Sequence, residues 1–300
     1  MSINVRRLSF ALGGEVTGVD LRETLDKAQW SQIHAAFLEH QMLVFPGQTL
    51  SPENLISFCG RFGPLFDFTE DPTYRLEGYS KIYELGNYMR DGKMSRTKDA
   101  GRKWHSDHSY TTEPHKISIL YARAVPPVGG TTCFANMYMA YDELSEKMKG
   151  FLDDMEAIHD VLKYFGTQIV GFKPTLKNSE GIKKKHPPVL QPVVRVHEET
   201  GRKALFLSEG SCTSLYGLEP EEGDGLLQYL LKHSVREQYT YRHTYKVNDL
   251  IMWDNRCLQH LAPPDYVHNA ENLRHMYRLT VLGSPCGRLL DTQAEEFKPH

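Results

Sequence analysis

Trp104-His105-Ser106-Asp107 decides how this chain is read, because it sets an imidazole and a carboxylate two positions apart. In a strand or tight turn, residues i and i+2 point the same way, so His105 and Asp107 converge while Ser106 turns aside. A second candidate imidazole, His260, lies far downstream and must arrive from a distant strand. Two His and one carboxylate on one face of an octahedral ion leave positions open for other ligands, the arrangement of a non-haem Fe(II) centre. H-x-D alone is a weak signal that arises by chance in many chains. Two arginines strengthen it: Arg274 and Arg278 fall in Leu273-Arg274-His275-Met276-Tyr277-Arg278-Leu279-Thr280-Val281, which otherwise reads as a buried strand. Their even spacing sets both guanidiniums on one strand face, and Arg is the side chain best shaped to grip a carboxylate through two hydrogen bonds. Buried charges need partners, which a dicarboxylate co-substrate and an anionic substrate would supply.

Length and composition narrow the class. Three hundred residues is long for one domain, but barrels with elaborated loops reach that size, so 1–300 is read as a single domain. A net charge of −3 provides no broad basic field, which argues against nucleic acid as the partner. Residues 1–40 mix charged and apolar groups, and no run of about 18 apolar residues occurs anywhere, so neither a signal peptide nor a membrane span is expected. The five cysteines are scattered and form no C-x-x-C pair, which fits a reduced cytoplasm and disfavours a zinc ribbon.

Apolar periodicity predicts short strands within 5–19, a helix over 24–40, a strand at 42–46, and a second helix that starts at Ser51-Pro52 and stops before Gly63-Pro64. The polar, glycine-bearing segment 71–103 reads as a mobile loop leading into the His105 motif, and lysine-rich 163–188 reads as a second flexible loop; either is a candidate lid. Strands are expected at 117–124, 133–135, 189–197, 204–207, 238–245, 249–253 and 276–282, with helix pieces over 137–158 and a helix over 221–235. Short strands dominate the second half and helices gather early. That pattern points to a mainly β fold, a jelly roll or barrel core wrapped by helices.

Read together, these motifs resemble the taurine/2,4-dichlorophenoxyacetate dioxygenase family of Fe(II)- and 2-oxoglutarate-dependent oxygenases. The resemblance runs over most of the chain. It takes in Gly14-Glu15-Val16-Thr17-Gly18-Val19-Asp20-Leu21, Phe45-Pro46-Gly47-Gln48, Arg61-Phe62-Gly63-Pro64, Trp104-His105-Ser106-Asp107, Gly129-Gly130-Thr131-Thr132, and Trp253-Asp254-Asn255-Arg256 leading to His260. It implies a double-stranded β-helix, the cupin-like jelly roll, with His105, Asp107 and His260 as Fe(II) ligands. It further implies that Arg274 and Thr132 bind the distal carboxylate of 2-oxoglutarate, and that O₂ is consumed while succinate and CO₂ form and the substrate is hydroxylated.

In such proteins the position of Arg278 grips the anionic head of the substrate, so the resemblance implies a small carboxylate or sulfonate. Taurine-type members carry His soon after the Phe-Gly turn and Asn four residues before the first metal His. Here those places hold Phe68, with Phe66 nearby, and Gly101. The departure argues against taurine and for a more apolar or aromatic substrate body, with Phe66, Phe68 and Gly101 as candidate pocket residues beside Arg278. Other readings stay open: an amino-acid-derived or sulfate-ester substrate, a metal-dependent cupin-type enzyme that does not use 2-oxoglutarate, or a binding protein with a vestigial metal site. His108 lies near the motif but three residues beyond His105, on the wrong face for a ligand. A homo-oligomer, dimer or tetramer, is the expected assembly.

Overall fold

Strands buried on both faces read as continuous apolar runs, and Met42-Leu43-Val44-Phe45 and Leu250-Ile251-Met252-Trp253 are such runs. The computed structural model describes residues 3–70, 72–168 and 176–290. It places both runs inside an eight-stranded sheet whose order is Asn4–Arg7, Gly14–Thr17, Met42–Phe45, Leu250–Asp254, Ile117–Ala124, His275–Val281, Tyr79–Gly86 and Arg75–Leu76. All neighbours are antiparallel except Gly14–Thr17 against Met42–Phe45. Alternation along each strand sorts side chains to two cores. Leu43, Phe45, Ile117, Ile119, Leu250, Met252 and Leu279 face Ile33, Phe37, Leu55 and Phe58 of the helices Lys27–His40 and Pro52–Gly60. Met42, Val44, Leu120, Ile251, Trp253 and Met276 face the other way, toward Phe134, Ala135 and Leu258.

Those last residues belong to a three-stranded sheet, Thr240–His243, Thr132–Asn136 and Leu258–Leu261. The large and small sheets enclose the core of a jelly roll, and the early helices cover the outer face of the large one. The first helix starts three residues later than its apolar spacing suggests, because Asp26 caps it: the Asp26 carboxylate accepts from Gln29 N–H at 2.8 Å while Gln29 Oε1 accepts from Asp26 N–H at 3.0 Å. Ser51 and Asn54 form the same reciprocal cap before Pro52.

Two expected loops are largely regular structure. Within 71–103, Tyr79–Gly86 is a strand of the large sheet, paired with His275–Val281. Its pattern is disguised because one inward position is Glu84, buried as an ion pair with Arg90 and bonded to His275 Nε2 at 2.8 Å. Within 163–188 lie the helices Val161–Gln168 and Leu176–Lys185, which accommodate Gly166 and Gly181. Residues 71 and 169–175 of these segments lie outside the described residues. The expected helix pieces over 137–158 are Met137–Asp142 and Glu146–Leu152, after which Glu156–His159 is a strand. The expected strand 189–197 divides into Val189–Pro192 and Val194–Val196, which join different sheets. Pro192 has no N–H for a ladder, and the chain changes partner there.

Arg274 also departs from the regular strand expected of it. The strand begins at His275, with a register shift between His275 and Met276. Arg274 instead sits on Gly86 and Asn87: its N–H donates to Asn87 Oδ1 at 2.6 Å and its carbonyl accepts from Asn87 N–H at 3.1 Å. Gly86 has φ +131°, and a Cβ there would lie 1.8 Å from the Arg274 carbonyl oxygen. Gly86→Ala is expected to destabilise the fold by about 2–3 kcal/mol, because both the backbone conformation and the contact exclude a side chain. Urea unfolding followed by far-UV circular dichroism would register this as a lowered midpoint with little change in slope.

Candidate active site

His105 and His260 face each other through an isolated antiparallel bridge. The His105 N–H donates to the His260 carbonyl at 3.0 Å, and the His260 N–H donates to the His105 carbonyl at 2.8 Å. This reciprocal pairing sets the side chains of residues distant in sequence side by side. Their imidazole centroids are 4.1 Å apart. Asp107 joins them: one carboxylate oxygen is 3.8 Å from His105 Nε2 and the other 3.8 Å from His260 Nε2. The ligand atoms of the three residues all lie within 4.8 Å of one another, and all three residues are buried.

Protonation favours a ligand set. The Nδ1 of His105 is 2.7 Å from the Lys103 carbonyl, which fixes the tautomer with Nδ1–H donating and Nε2 free to bind an ion. Burial lowers the pKa of His105, and burial together with the neighbouring imidazole lowers that of His260 well below the usual histidine range, so both rings are neutral. Burial alone would raise the Asp107 carboxyl, but the Arg278 guanidinium outweighs it, helped by the Ser118 hydroxyl, and holds it well below its ordinary value. Two neutral imidazoles and one carboxylate are the donor chemistry that a divalent first-row metal takes.

A cavity opens over these residues. Thr132, Arg274, Arg278 and Gly101 line it with the three ligand candidates. Arg274 is 9 % exposed, its Nε donates to the Gly130 carbonyl at 3.0 Å, and no carboxylate among the described residues pairs with it. Its terminal nitrogens therefore suit a carboxylate brought in by a ligand. Arg278 Nη2 lies 2.8 Å from Asp107 Oδ2, so this arginine is the counter-charge of the Asp107 carboxylate as well as part of the cavity wall. Its buried Nε has no partner among the described residues. Gly101 has φ +80°, its carbonyl accepts from Ala262 N–H at 2.7 Å, and a Cβ there would come within 3.6 Å of His105 Cε1.

Phe66 and Phe68 are not among the residues that line the cavity. The Phe66 N–H donates to the Thr280 carbonyl at 2.8 Å, which turns the two rings toward each other and toward His115 and Tyr83. Tyr83 pairs in register with Arg278, so the phenylalanines stand beside the strand carrying that arginine. His108, in a turn at φ +56°, stacks on His115 at 3.6 Å and stays out of the ligand cluster. The segment preceding the motif contributes Thr97, Lys98, Ala100 and Arg102 to the cavity, and the helix Val161–Gln168 contributes Tyr164, whose ring is 5.7 Å from that of His105.

Several supporting residues escape a reading of the sequence. Asn255 Oδ1 accepts from Asp107 N–H at 3.3 Å and Trp253 Nε1–H at 3.1 Å, while its amide donates to Ser118 Oγ at 3.0 Å. Ser118 in turn donates to Asp107 Oδ2. Tyr245 bonds Thr132 Oγ1 at 2.8 Å and lies against Arg274. Trp-Asp-Asn-Arg marks a turn in sequence, but nothing local says which of its side chains reaches Asp107. A second buried cluster, His197, Asp254 and Cys257, is structural. Asp254 pairs with Arg256 at 2.6 Å and with His197 Nε2 at 3.0 Å, and His197 Nδ1 accepts from the N–H groups of Glu199 and Thr200. Neither ring nitrogen of His197 is left for an ion.

Comparison with known proteins agrees with this geometry. Residues 4–280 match the sequence model of the taurine catabolism dioxygenase TauD, TfdA family. The chain is 34 % identical over 288 residues to the (S)-phenoxypropionate/alpha-ketoglutarate-dioxygenase of Sphingobium herbicidovorans, covering 95 % of this chain and 96 % of that one. It is 34 % identical over 270 residues to the alpha-ketoglutarate-dependent 2,4-dichlorophenoxyacetate dioxygenase of Cupriavidus pinatubonensis, covering 87 % and 92 %. The crystal structure of AAD-2 in complex with Mn(II) and N-oxalylglycine superposes with a TM-score of 0.80 at 32 % identity, over 95 % of this chain and 98 % of the other.

Asn255→Ala removes the acceptor for Asp107 N–H and the donor to Ser118. Metal affinity, measured by anaerobic titration with Fe(II) or Mn(II), is expected to fall by about 10–100-fold, the usual cost of losing a group that orients a ligand.

Proposed function

We propose, since this chain belongs to the taurine catabolism dioxygenase TauD, TfdA family of alpha-ketoglutarate-dependent enzymes, that it uses Fe(II) to hydroxylate a small anionic organic compound. Of its relatives, one is named for phenoxypropionate and another for 2,4-dichlorophenoxyacetate. The observation that carries the reading is the convergence, in one cavity, of the His105, Asp107 and His260 candidate ligand atoms with an arginine, Arg274, that has no carboxylate partner among the described residues. A cupin-type enzyme without 2-oxoglutarate gives no reason for that arginine. Fe(II), 2-oxoglutarate and O₂ together supply the oxidation, in which one oxygen atom enters the substrate C–H bond and the other accompanies conversion of 2-oxoglutarate to succinate and CO₂.

The chain's own residues divide the remaining work. His105, Asp107 and His260 hold the metal on one side and leave its cavity side to ligands. Arg274 and Thr132 anchor the far carboxylate of 2-oxoglutarate, which fixes the distance of its 2-oxo acid end from the metal. Arg278 takes the anionic head of the substrate through its guanidinium, whose Nε has no partner among the described residues while Nη2 also meets Asp107. Tyr164, Leu85 and Tyr266 line the cavity where an apolar or aromatic body would lie, and they take the place assigned from sequence to Phe66 and Phe68. Gly101, close to His105, leaves room for that body because it has no side chain. The chain works as one domain spanning 1–300, in the cytoplasm, as a homo-oligomer. Among the described residues no helix is long and apolar enough to cross a membrane, and all five cysteines are free, in keeping with that location.

Anaerobic titration of the protein with Fe(II) and 2-oxoglutarate is expected to produce a weak visible charge-transfer band; its absence would refute the reading. Arg274→Ala should weaken the band's 2-oxoglutarate dependence, whereas Arg278→Lys, which keeps a charge beside Asp107 but loses the planar fork, should leave it in place and raise the substrate KM. The reverse result would exchange the two arginines' roles. Asp107→Ala should lower substrate-coupled succinate formation by about 100-fold or more. Succinate release measured across aryloxyalkanoates, alkylsulfonates, sulfate esters and amino-acid-derived acids identifies the substrate.

A further inference from the structure

The turn that carries Thr132 is held from its outer side by a carboxylate that plays no part in the site as assigned above. Asp265 Oδ1 accepts from Gly130 N–H at 2.8 Å, and Oδ2 accepts from the Thr131 N–H at 3.4 Å and from the Thr131 hydroxyl. Arg242 completes the cluster, donating to Asp265 Oδ2 at 2.6 Å and to Thr131 Oγ1 at 2.9 Å. Consecutive backbone N–H groups in a left-handed turn form a concave donor pair that binds anions, and here the anion is a side chain of the same molecule. The turn permits no substitute for its glycines. Gly129 and Gly130 have φ +79° and +65°, and a Cβ on Gly129 would lie 2.0 Å from the Asp265 carbonyl oxygen. A Cβ on Gly130 would lie 2.7 Å from Pro126 Cγ and 3.2 Å from Arg274 Cδ.

Peptide geometry carries this anchoring to the other side of the turn. The Thr131 N–H and the Gly130 carbonyl belong to one planar trans unit, so they point in opposite directions. With the N–H turned to Asp265, the carbonyl must face the cavity, where it accepts from Arg274 Nε at 3.0 Å. A guanidinium bound through Nε presents its two terminal nitrogens away from that bond, in the geometry of bidentate carboxylate recognition. Tyr245 steadies the same group, with its ring centroid 5.5 Å from Arg274 Cζ and its hydroxyl on Thr132. Burial alone would raise the Asp265 carboxyl, but the Thr131 and Arg242 hydrogen bonds hold it below its ordinary value, so the anchor stays charged.

We propose that Asp265 is a positioning residue for co-substrate binding: acting through the Gly130-Thr131 peptide, it aims Arg274 at the far carboxylate of 2-oxoglutarate. The inference rests on the role given to Arg274 under the proposed function. Its test compares 2-oxoglutarate with 2-oxobutanoate, which has the same chelating end but no far carboxylate, each titrated anaerobically into the Fe(II)-loaded protein. Asp265→Ala is expected to raise the Kd of 2-oxoglutarate by about tenfold and to change that of 2-oxobutanoate by less than about twofold. Asp265→Asn, which keeps the shape and one oxygen acceptor, should fall between wild type and Asp265→Ala, and it decides the matter if the alanine variant does not fold. In turnover, the KM for 2-oxoglutarate should rise in step while kcat falls by less than about threefold, the signature of lost co-substrate binding. An unchanged 2-oxoglutarate Kd, or equal weakening of both acids, would overturn the proposal. Arg274→Ala serves as the reference: if it leaves 2-oxoglutarate binding intact, the assignment of Arg274 fails, whereas an effect of Arg274→Ala without one of Asp265→Asn or Asp265→Ala sinks only the role of Asp265.

Discussion

Two backbone hydrogen bonds between His105 and His260 are the constraint on which this centre depends. They belong to no extended strand pair, only to a single bridge, yet they bring together two imidazoles from opposite ends of the chain's β-core. Each contributes about 1 kcal/mol net to stability, but leaving the buried donors unpaired would cost more. The bridge holds because both flanks are fixed. On one side Leu258–Leu261 pairs with Thr132–Asn136, and on the other Ser106 donates to the Leu258 carbonyl at 2.8 Å while Asp107 is tied to Asn255. The same small sheet thus carries a candidate ligand, His260, and a candidate co-substrate contact, Thr132.

Charge follows from that geometry. Asp107 is 1 % exposed, and a buried carboxylate needs cations or donors around it. Arg278 and Ser118 supply them from neighbouring strands of the large sheet, and an ion held by three ligands would add a second positive partner. Arg278 is therefore poised between Asp107 and the cavity. An anion reaching it would enter a field that the Asp107 carboxylate already shapes. Arg274 is set differently. It is pinned by Gly130 and Asn87, with no acid of its own among the described residues, so its charge is directed wholly at the cavity.

Much of this was legible in one dimension. The two-residue spacing of His105 and Asp107, the downstream His260 and the paired arginines are chemically restrictive, and the short apolar runs at 42–46 and 249–253 read as strands. Regions governed by buried charge were not legible. Tyr79–Gly86 reads as polar because Glu84 occupies an inward position, compensated by Arg90 and His275, which no local pattern connects to it. The helices Val161–Gln168 and Leu176–Lys185 were hidden by glycines and lysines that the exposed side of a helix tolerates. Phe66 and Phe68 were plausible pocket residues from their place near the Phe-Gly turn, but a hydrogen bond to Thr280 turns them aside, and Tyr164 from a helix takes the cavity face instead.

Residue chemistry and spacing alone pointed to His105, Asp107 and His260 as a candidate ligand set, to Arg274 as a candidate carboxylate contact and to a jelly-roll frame, since ligand softness, guanidinium shape and strand periodicity are properties of short stretches. Folding decided which groups meet: the bridge that sets His105 beside His260, the Asn255 and Ser118 bonds that orient Asp107, the Asp265 clasp behind Gly130, and the aromatic side chains that face the cavity. Each of these joins segments remote from one another in the chain. Their contact comes from strand pairing and from the demand that every buried polar group find a partner, and neither is written in any single stretch of residues.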